Sequence, residues 1–300
     1  MEPSRTRAAD WLVLIVLALI WGSSFILMKR GLFHEGEPVL TPFQLASARL
    51  SIAWLTLSPI IFKHYRHLFT HWRPLLGAGL LGNGIPAFLF ATAQSRIDSS
   101  LSGMLNSLTP LMTLISGVLL FGLRFRGIHI LGVVLGLGGA AALIMMKSTA
   151  GMPSWSFFAM MPVIATAMYG INGNIIKTYL YSVPPAAIGA LALTFVGPIC
   201  IILMFTSGLP QTVATHPHGW SAFAHVVVLA VFGSAFALVL WNVLLKRTTA
   251  LWASSVTYLM PIVAIGWGIL DDELITWGQI GMIALVLGGV YLVSVAERQG

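Results

Sequence analysis

Long stretches of this chain carry no charge. Residues 11–28, 74–95, 99–123, 127–146, 248–270 and 274–296 contain no Asp, Glu, Lys or Arg. A helix needs about 20 mainly apolar residues to cross the hydrocarbon of a bilayer. Segments of that kind, repeated along one chain, cannot be loops or open sheet edges in lipid, because every backbone polar group there must be paired. Charged residues make up 8% of the sequence, against about a quarter in soluble domains. The sequence therefore reads as an all-α polytopic membrane protein.

Hydropathy predicts ten transmembrane helices, at 11–31, 41–62, 74–95, 99–122, 127–146, 155–178, 184–206, 220–245, 249–270 and 275–296. The first is longer than a signal-peptide core and lacks a clear cleavage site, so it is kept as a span. With the N-terminus in the cytoplasm, the inner segments hold Arg5, Arg7, Lys63, Arg66, Arg73, Arg124, Arg126, Lys177, Lys246, Arg247 and Arg298. The outer ones hold Lys29, Arg30, Arg96 and Lys147. Basic residues concentrate on the cytoplasmic side, which predicts both termini inside and places the protein in the inner membrane of the cell. The net charge of +7 thus reports orientation rather than nucleic-acid binding. Cys200 is the only cysteine, so no intrachain disulfide is possible.

The chain repeats itself. Trp21-Gly22 is followed by Lys29 at the same distance as Tyr169-Gly170 by Lys177. Gly82, Phe90, Arg96 and Pro110 meet Gly233, Trp241, Arg247 and Pro261 in one register, and Gly138-Gly139 meets Gly288-Gly289 after a slip of one. The halves are residues 10–147 and 154–296, with five spans each. An odd number of spans inverts the second half relative to the first. Inverted repeats are a recurrent plan of secondary transporters, with the substrate site near the midplane between the repeats.

Trp21-Gly-Ser-Ser-Phe25 with Lys29, Arg49 in the second span, the serine-rich approach to Pro110, and Tyr258-Leu-Met-Pro-Ile-Val-Ala-Ile-Gly-Trp-Gly-Ile-Leu-Asp-Asp-Glu273 resemble the EamA-type branch of the drug/metabolite transporter superfamily. The resemblance covers nearly the whole chain. It implies a ten-helix inverted-repeat carrier and an exporter of amino acids, drugs or other small metabolites. The family often ends its fourth and ninth spans with a Gly-Glu-Arg-like motif. Glu273 fits that pattern, whereas Gly122-Leu123-Arg124 lacks the acid.

Polar groups at membrane depth are costly unless paired or facing water. Ser24, Asn83, Gln94, Asn106, Asn172, Asn242 and Tyr258 are such groups, and with Trp21, Phe90, Tyr169 and Trp241 as walls they predict one central cavity. Asn174 shares that depth, and Phe88 and Trp252 are further wall candidates. For each amide the competing reading is an interhelical hydrogen bond. Arg49 lies about 12 Å along its helix from Thr41, at 1.5 Å per residue, and a charge inside a span is a functional candidate. It would attract a substrate carboxylate, or else pair with helix-end carbonyls or snorkel. Lys29 and Lys177 lie nearer helix ends and are expected to snorkel. Pro110 and Pro261 remove a helical hydrogen bond at matched places, as static kinks or as gates. The Gly132-x-x-x-Gly136 spacing with Gly138-Gly139 and Gly288-Gly289 predicts close packing of the fifth and tenth helices, and a homodimer through them is the alternative to a monomer.

No acid lies at a span midpoint, which argues for a facilitator or exchanger over a carboxylate-gated proton antiporter. No phosphate-binding loop is present to drive an ATP-powered pump, and neither a cofactor nor a metal site is expected. A small-molecule substrate and the lipid bilayer are the expected partners. Two other classes compete. An intramembrane serine hydrolase would use a nucleophile in Ser99-Ser-Leu-Ser-Gly103, but it needs a base within hydrogen-bond reach. A channel would want rings of charge or carbonyls.

Overall fold

The computed structural model describes residues 8–123, 127–148 and 154–298. Arg5, Arg7, Arg124 and Arg126, used above for orientation, lie outside the described residues. The long helices are α1 (Ala8–Leu32), α2 (Pro42–Thr56), α3 (Ser58–His64), α4 (Trp72–Gln94), α5 (Ser99–Phe121), α6 (Gly127–Ser148), α7 (Ser154–Tyr179), α8 (Pro185–Leu193), α9 (Gly197–Thr206), α10 (Gly219–Arg247), α11 (Ala250–Leu270) and α12 (Trp277–Arg298). Seven of these are long and apolar enough to cross a membrane, and up to nine spans result if α2/α3 and α8/α9 each count as one. Residues Trp277–Leu292 of α12 form a further, shorter apolar helix. The chain is a multi-pass membrane protein.

The bends follow from proline. α2 and α3 meet at 55°, α8 and α9 at 40°, and each second member opens with Pro59 or Pro198 in its first turn. A proline ring cannot continue a straight helix without losing a bond and clashing one turn back. The predicted kinks at Pro110 and Pro261 take a related form. Pro110 sits just after a turn at Ser107-Leu108 that interrupts α5. Pro261 follows a stretch of 3₁₀ helix, Ser255–Tyr258, inside α11. Wide π-helical turns also occur twice, at Leu80–Gly84 in α4 and Leu229–Phe236 in α10, around the matched glycines Gly82 and Gly233.

Small residues set the closest approaches. α6 packs along α12, where a Cβ built on Gly289 would fall 2.5 Å from the Gly132 carbonyl oxygen and 2.6 Å from Gly136 N. Gly138 and Gly288, expected in this seam, are not in it: a Cβ on either meets nothing within 4 Å. α2 and α12 begin with the same capping box. Thr41 and Thr276 hydroxyls accept from Gln44 and Gln279 N–H, at 3.2 Å each, and the glutamine side chains accept from the threonine N–H in return. A two-residue hairpin, Phe33–His34 against Glu37–Pro38, joins α1 to α2.

Candidate functional site

Helices α1, α2, α4, α5, α7, α10 and α11 surround one cavity of about 930 Å³, mouth included. Nine of the twelve residues expected in a central cavity line it: Trp21, Ser24, Arg49, Asn83, Phe90, Asn106, Tyr169, Asn172 and Trp241. Aromatic rings form its walls in two matched pairs. Trp21 stands against Trp241 with ring centroids 5.5 Å apart, and Tyr169 against Phe90 at 6.1 Å. In the sequence registers Trp21 corresponds to Tyr169 and Trp241 to Phe90, so the same two repeat positions meet twice, each time across the two halves. A second correspondence lies at the helix ends. Arg247 is 3.5 Å from Asp10, and its counterpart Arg96 sits over the Phe158 ring at 5.9 Å.

The π-turn in α10 positions two polar contacts. It leaves the Gly233 carbonyl available to the Trp21 indole N–H, which donates at 3.0 Å. It also presents Ser234, whose hydroxyl accepts from Arg49 Nε at 2.7 Å. Arg49 therefore points into the cavity rather than snorkelling. Its Nη1 lies 3.7 Å from Met28 Sδ, and among the described residues no carboxylate is within ion-pair distance of it. Two buried amide oxygens on the lining, Asn106 Oδ1 and Asn172 Oδ1, have no hydrogen-bond partner among the described residues either. Buried polar groups are nearly always satisfied, so the guanidinium fork and the two orphan acceptors are the candidates for contact with polar ligand atoms, although among the described residues Gln94, Ser102 and Asn242 have unpartnered buried atoms outside the cavity as well.

Three candidates lie elsewhere. Asn242 donates back along its own helix to the Leu238 carbonyl at 2.7 Å and faces Gly189 of α8. Tyr258 donates to the Val290 carbonyl of α12 at 3.1 Å. Gln94 is buried near the far end of α4, away from the cavity. Each was placed by depth alone, and depth does not fix which face of a helix a side chain occupies. Asn174 is also structural: its amide donates to the Thr113 and Gly170 carbonyls and to Ser116 Oγ. Phe88 packs on Phe43 and Trp252 on Trp11, outside the cavity. Ser102 is fully buried, and its hydroxyl has no hydrogen-bond partner among the described residues. Lys29 does not snorkel but pairs with Asp271 at 2.7 Å and Glu273 at 3.0 Å. The lining residues missed from the sequence include Thr109, Thr113 and Ser234. Asn106, Thr109 and Thr113 recur at helical spacing, a signal that was legible.

These features define a multi-pass helical membrane protein built around a cavity walled by aromatic rings and lined with a few polar groups. The chain belongs to the EamA-like transporter family, which matches residues 10–145 and again 155–295, and it is a membrane transporter. The resemblance read from the first, second and ninth spans is thereby borne out. It is 27% identical over 294 residues to the uncharacterized inner membrane transporter YedA of Escherichia coli K12, covering 93% of this chain and 90% of that one. It is 24% identical over 292 residues to a probable amino-acid metabolite efflux pump of the same organism, covering 94% of both. A solved crystal structure of a protein superposes with a TM-score of 0.65 at 18% identity, covering 98% of this chain and 99% of that one, a likeness of fold.

Proposed function

We propose that the protein is an inner-membrane secondary carrier, built as two inverted five-helix repeats with both termini cytoplasmic, that exports small carboxylate-bearing solutes with an apolar or aromatic body by alternating access. Amino acids and amphipathic organic acids are the substrate class. The observation that carries the reading is Arg49, a cavity guanidinium with no acidic partner among the described residues. A charge held inside a span without a counter-ion is costly, and a carboxylate forms a bidentate pair with such a fork. The orphan acceptors of Asn106 and Asn172 suit an ammonium or amide donor on the same solute, and the four aromatic rings suit its body. The matched ring pairs, π-turns and proline breaks support the inverted repeat, and the efflux pump among the relatives supports export.

The test is counterflow in proteoliposomes loaded with one unlabelled amino or organic acid at a time. Saturable entry of the labelled solute is expected for at least one carboxylate. Arg49→Gln should lower it at least tenfold, the scale of a lost charge-assisted pair, with Arg49→Lys between. Arg49→Gln transporting at the native rate would refute the assignment. A rate proportional to concentration, without saturation, would favour a channel.

A further inference from the structure

The cavity is lined on α1 from Trp21 to Met28 and on α5 from Asn106 to Thr113. Its α11 lining starts at Ala250, the first residue of that helix, and stops at Met260. Beyond that point α1, α5 and α11 close on one another. A Cβ on Gly22 would lie 2.6 Å from Val263 Cβ, and one on Gly103 would lie 2.5 Å from Ala264 Cβ. Past this seam stands an ion cluster. Lys29 bridges Asp271 and Glu273, and Arg30 reaches Asp271 at 3.2 Å. The Glu273 side chain is only 3% exposed. It accepts from the Ser99 and Ser100 backbone N–H at 3.1 and 3.0 Å and from the Ser99 hydroxyl at 2.7 Å. Those N–H groups open α5 and have no acceptor within the helix. One carboxylate thus ties α1, α5 and the α11–α12 connection together.

Among the described residues the opposite end has no matching cluster. In the register that pairs Gly82 with Gly233, Glu273 falls on Gly122 and Ser99-Ser100 on Ala250-Leu251. In the register that pairs Trp21 with Tyr169, Lys29 falls on Lys177. Lys177 has no carboxylate within ion-pair distance among the described residues, and it feels the like charge of Lys246. The Arg247–Asp10 pair at this end is matched by Arg96 over Phe158 at the other, so that contact is not one-sided.

We infer that the Lys29–Asp271–Glu273 cluster, docked on the first turn of α5, is a one-sided latch that holds one mouth of the empty carrier shut and leaves the Ala250 mouth open at rest. The inference rests on the carrier reading. With the termini cytoplasmic, the open mouth faces the cytoplasm, the loading side of an exporter. Two repeats of one plan would otherwise give two nearly equivalent states, and a bonded cluster present in only one of them shifts the populations toward it.

The test places a reporter cysteine in the cavity, Ser24→Cys in a Cys200→Ala background, and follows labelling by a membrane-impermeant charged maleimide. Inverted vesicles should label readily and right-side-out vesicles slowly. Glu273→Ala should raise labelling of right-side-out vesicles about tenfold, as expected when charge-assisted hydrogen bonds made in only one state are lost. Glu273→Gln should fall between. Lys29→Met tests the same latch from α1, should Glu273→Ala fail to elute as a folded species. Unchanged right-side-out labelling in both folded variants would overturn the latch, and equal labelling from both sides before mutation would overturn the resting state. Labelling needs no substrate, so counterflow in the same vesicles reads the carrier separately. A latch effect without counterflow of any solute sinks the proposed carrier reading and not the closed mouth. Counterflow with unchanged labelling sinks the latch.

Discussion

Among individual residues, Glu273 has the most consequential surroundings. Burial by itself would raise its pKa, but the hydrogen bonds from Ser100 and Ser99 and the contact with Lys29 outweigh it and hold the carboxyl down from 4.5 to about 2. A depressed folded-state pKa contributes stability that is fully present above the unfolded value and is lost as pH falls through the folded one. The difference in thermal stability between the native protein and Glu273→Gln should therefore be constant above about pH 5.5, about one unit above the unfolded value, and shrink as pH falls toward 2. A melting series in detergent across that window checks it. A difference that grew on acidification would mean that the folded protein favours the protonated acid, and that these donors do not hold a carboxylate. Arg49 and Glu273 also show what a sequence can yield about single residues. A lone Arg inside an apolar span is conspicuous, so Arg49 stood out. Glu273 drew notice only through the family motif, because its partners Lys29, Ser99 and Ser100 are distant in the chain and nothing local announces them.

At the scale of elements, position along a helix was readable and direction around it was not. Spans announced themselves by length without charge, and proline and glycine marked where α5 and α11 break. The π-turns did not announce themselves, although they place Ser234 beside Arg49 and free the Gly233 carbonyl for Trp21. Asn242 and Tyr258 fall outside the cavity lining for the same reason, since a one-residue rotation of about 100° separates a cavity face from a packing face. The α6–α12 seam offers a measurement at this scale. Gly289→Val would force a branched side chain onto the backbone of Gly132 and Gly136, and overpacking of this kind costs about 1–3 kcal/mol. Thermal unfolding should drop by several degrees in the variant. Gly288→Val, with open space around its Cβ position, should melt with the native protein.

For the whole molecule, the internal repeat was the most informative thing in the sequence, and its value lay in pairs rather than in single matches. Trp21 with Tyr169 and Phe90 with Trp241 are weak correspondences singly, yet they meet as two equivalent contacts across the cavity. What the repeat could not convey is where the halves differ, because symmetry arguments point to shared features and the ion cluster at Lys29 has no match among the described residues. Arg49 likewise has no basic counterpart in the second half, where its matching position falls on Gly197 or Cys200 in the two registers. That solitary cation has an electrical consequence. The empty site carries about one positive charge, a bound monocarboxylate cancels it, and a bound zwitterion leaves it in place. Work against the membrane field is about 2.3 kcal/mol per charge per 100 mV. Export of a monoanion therefore moves net charge and should accelerate when a potassium diffusion potential makes the loading side negative. Export of a zwitterion should leave the turnover balance of the cycle neutral. Imposed voltage, applied to one purified protein, thus separates the two kinds of cargo that the same guanidinium could hold.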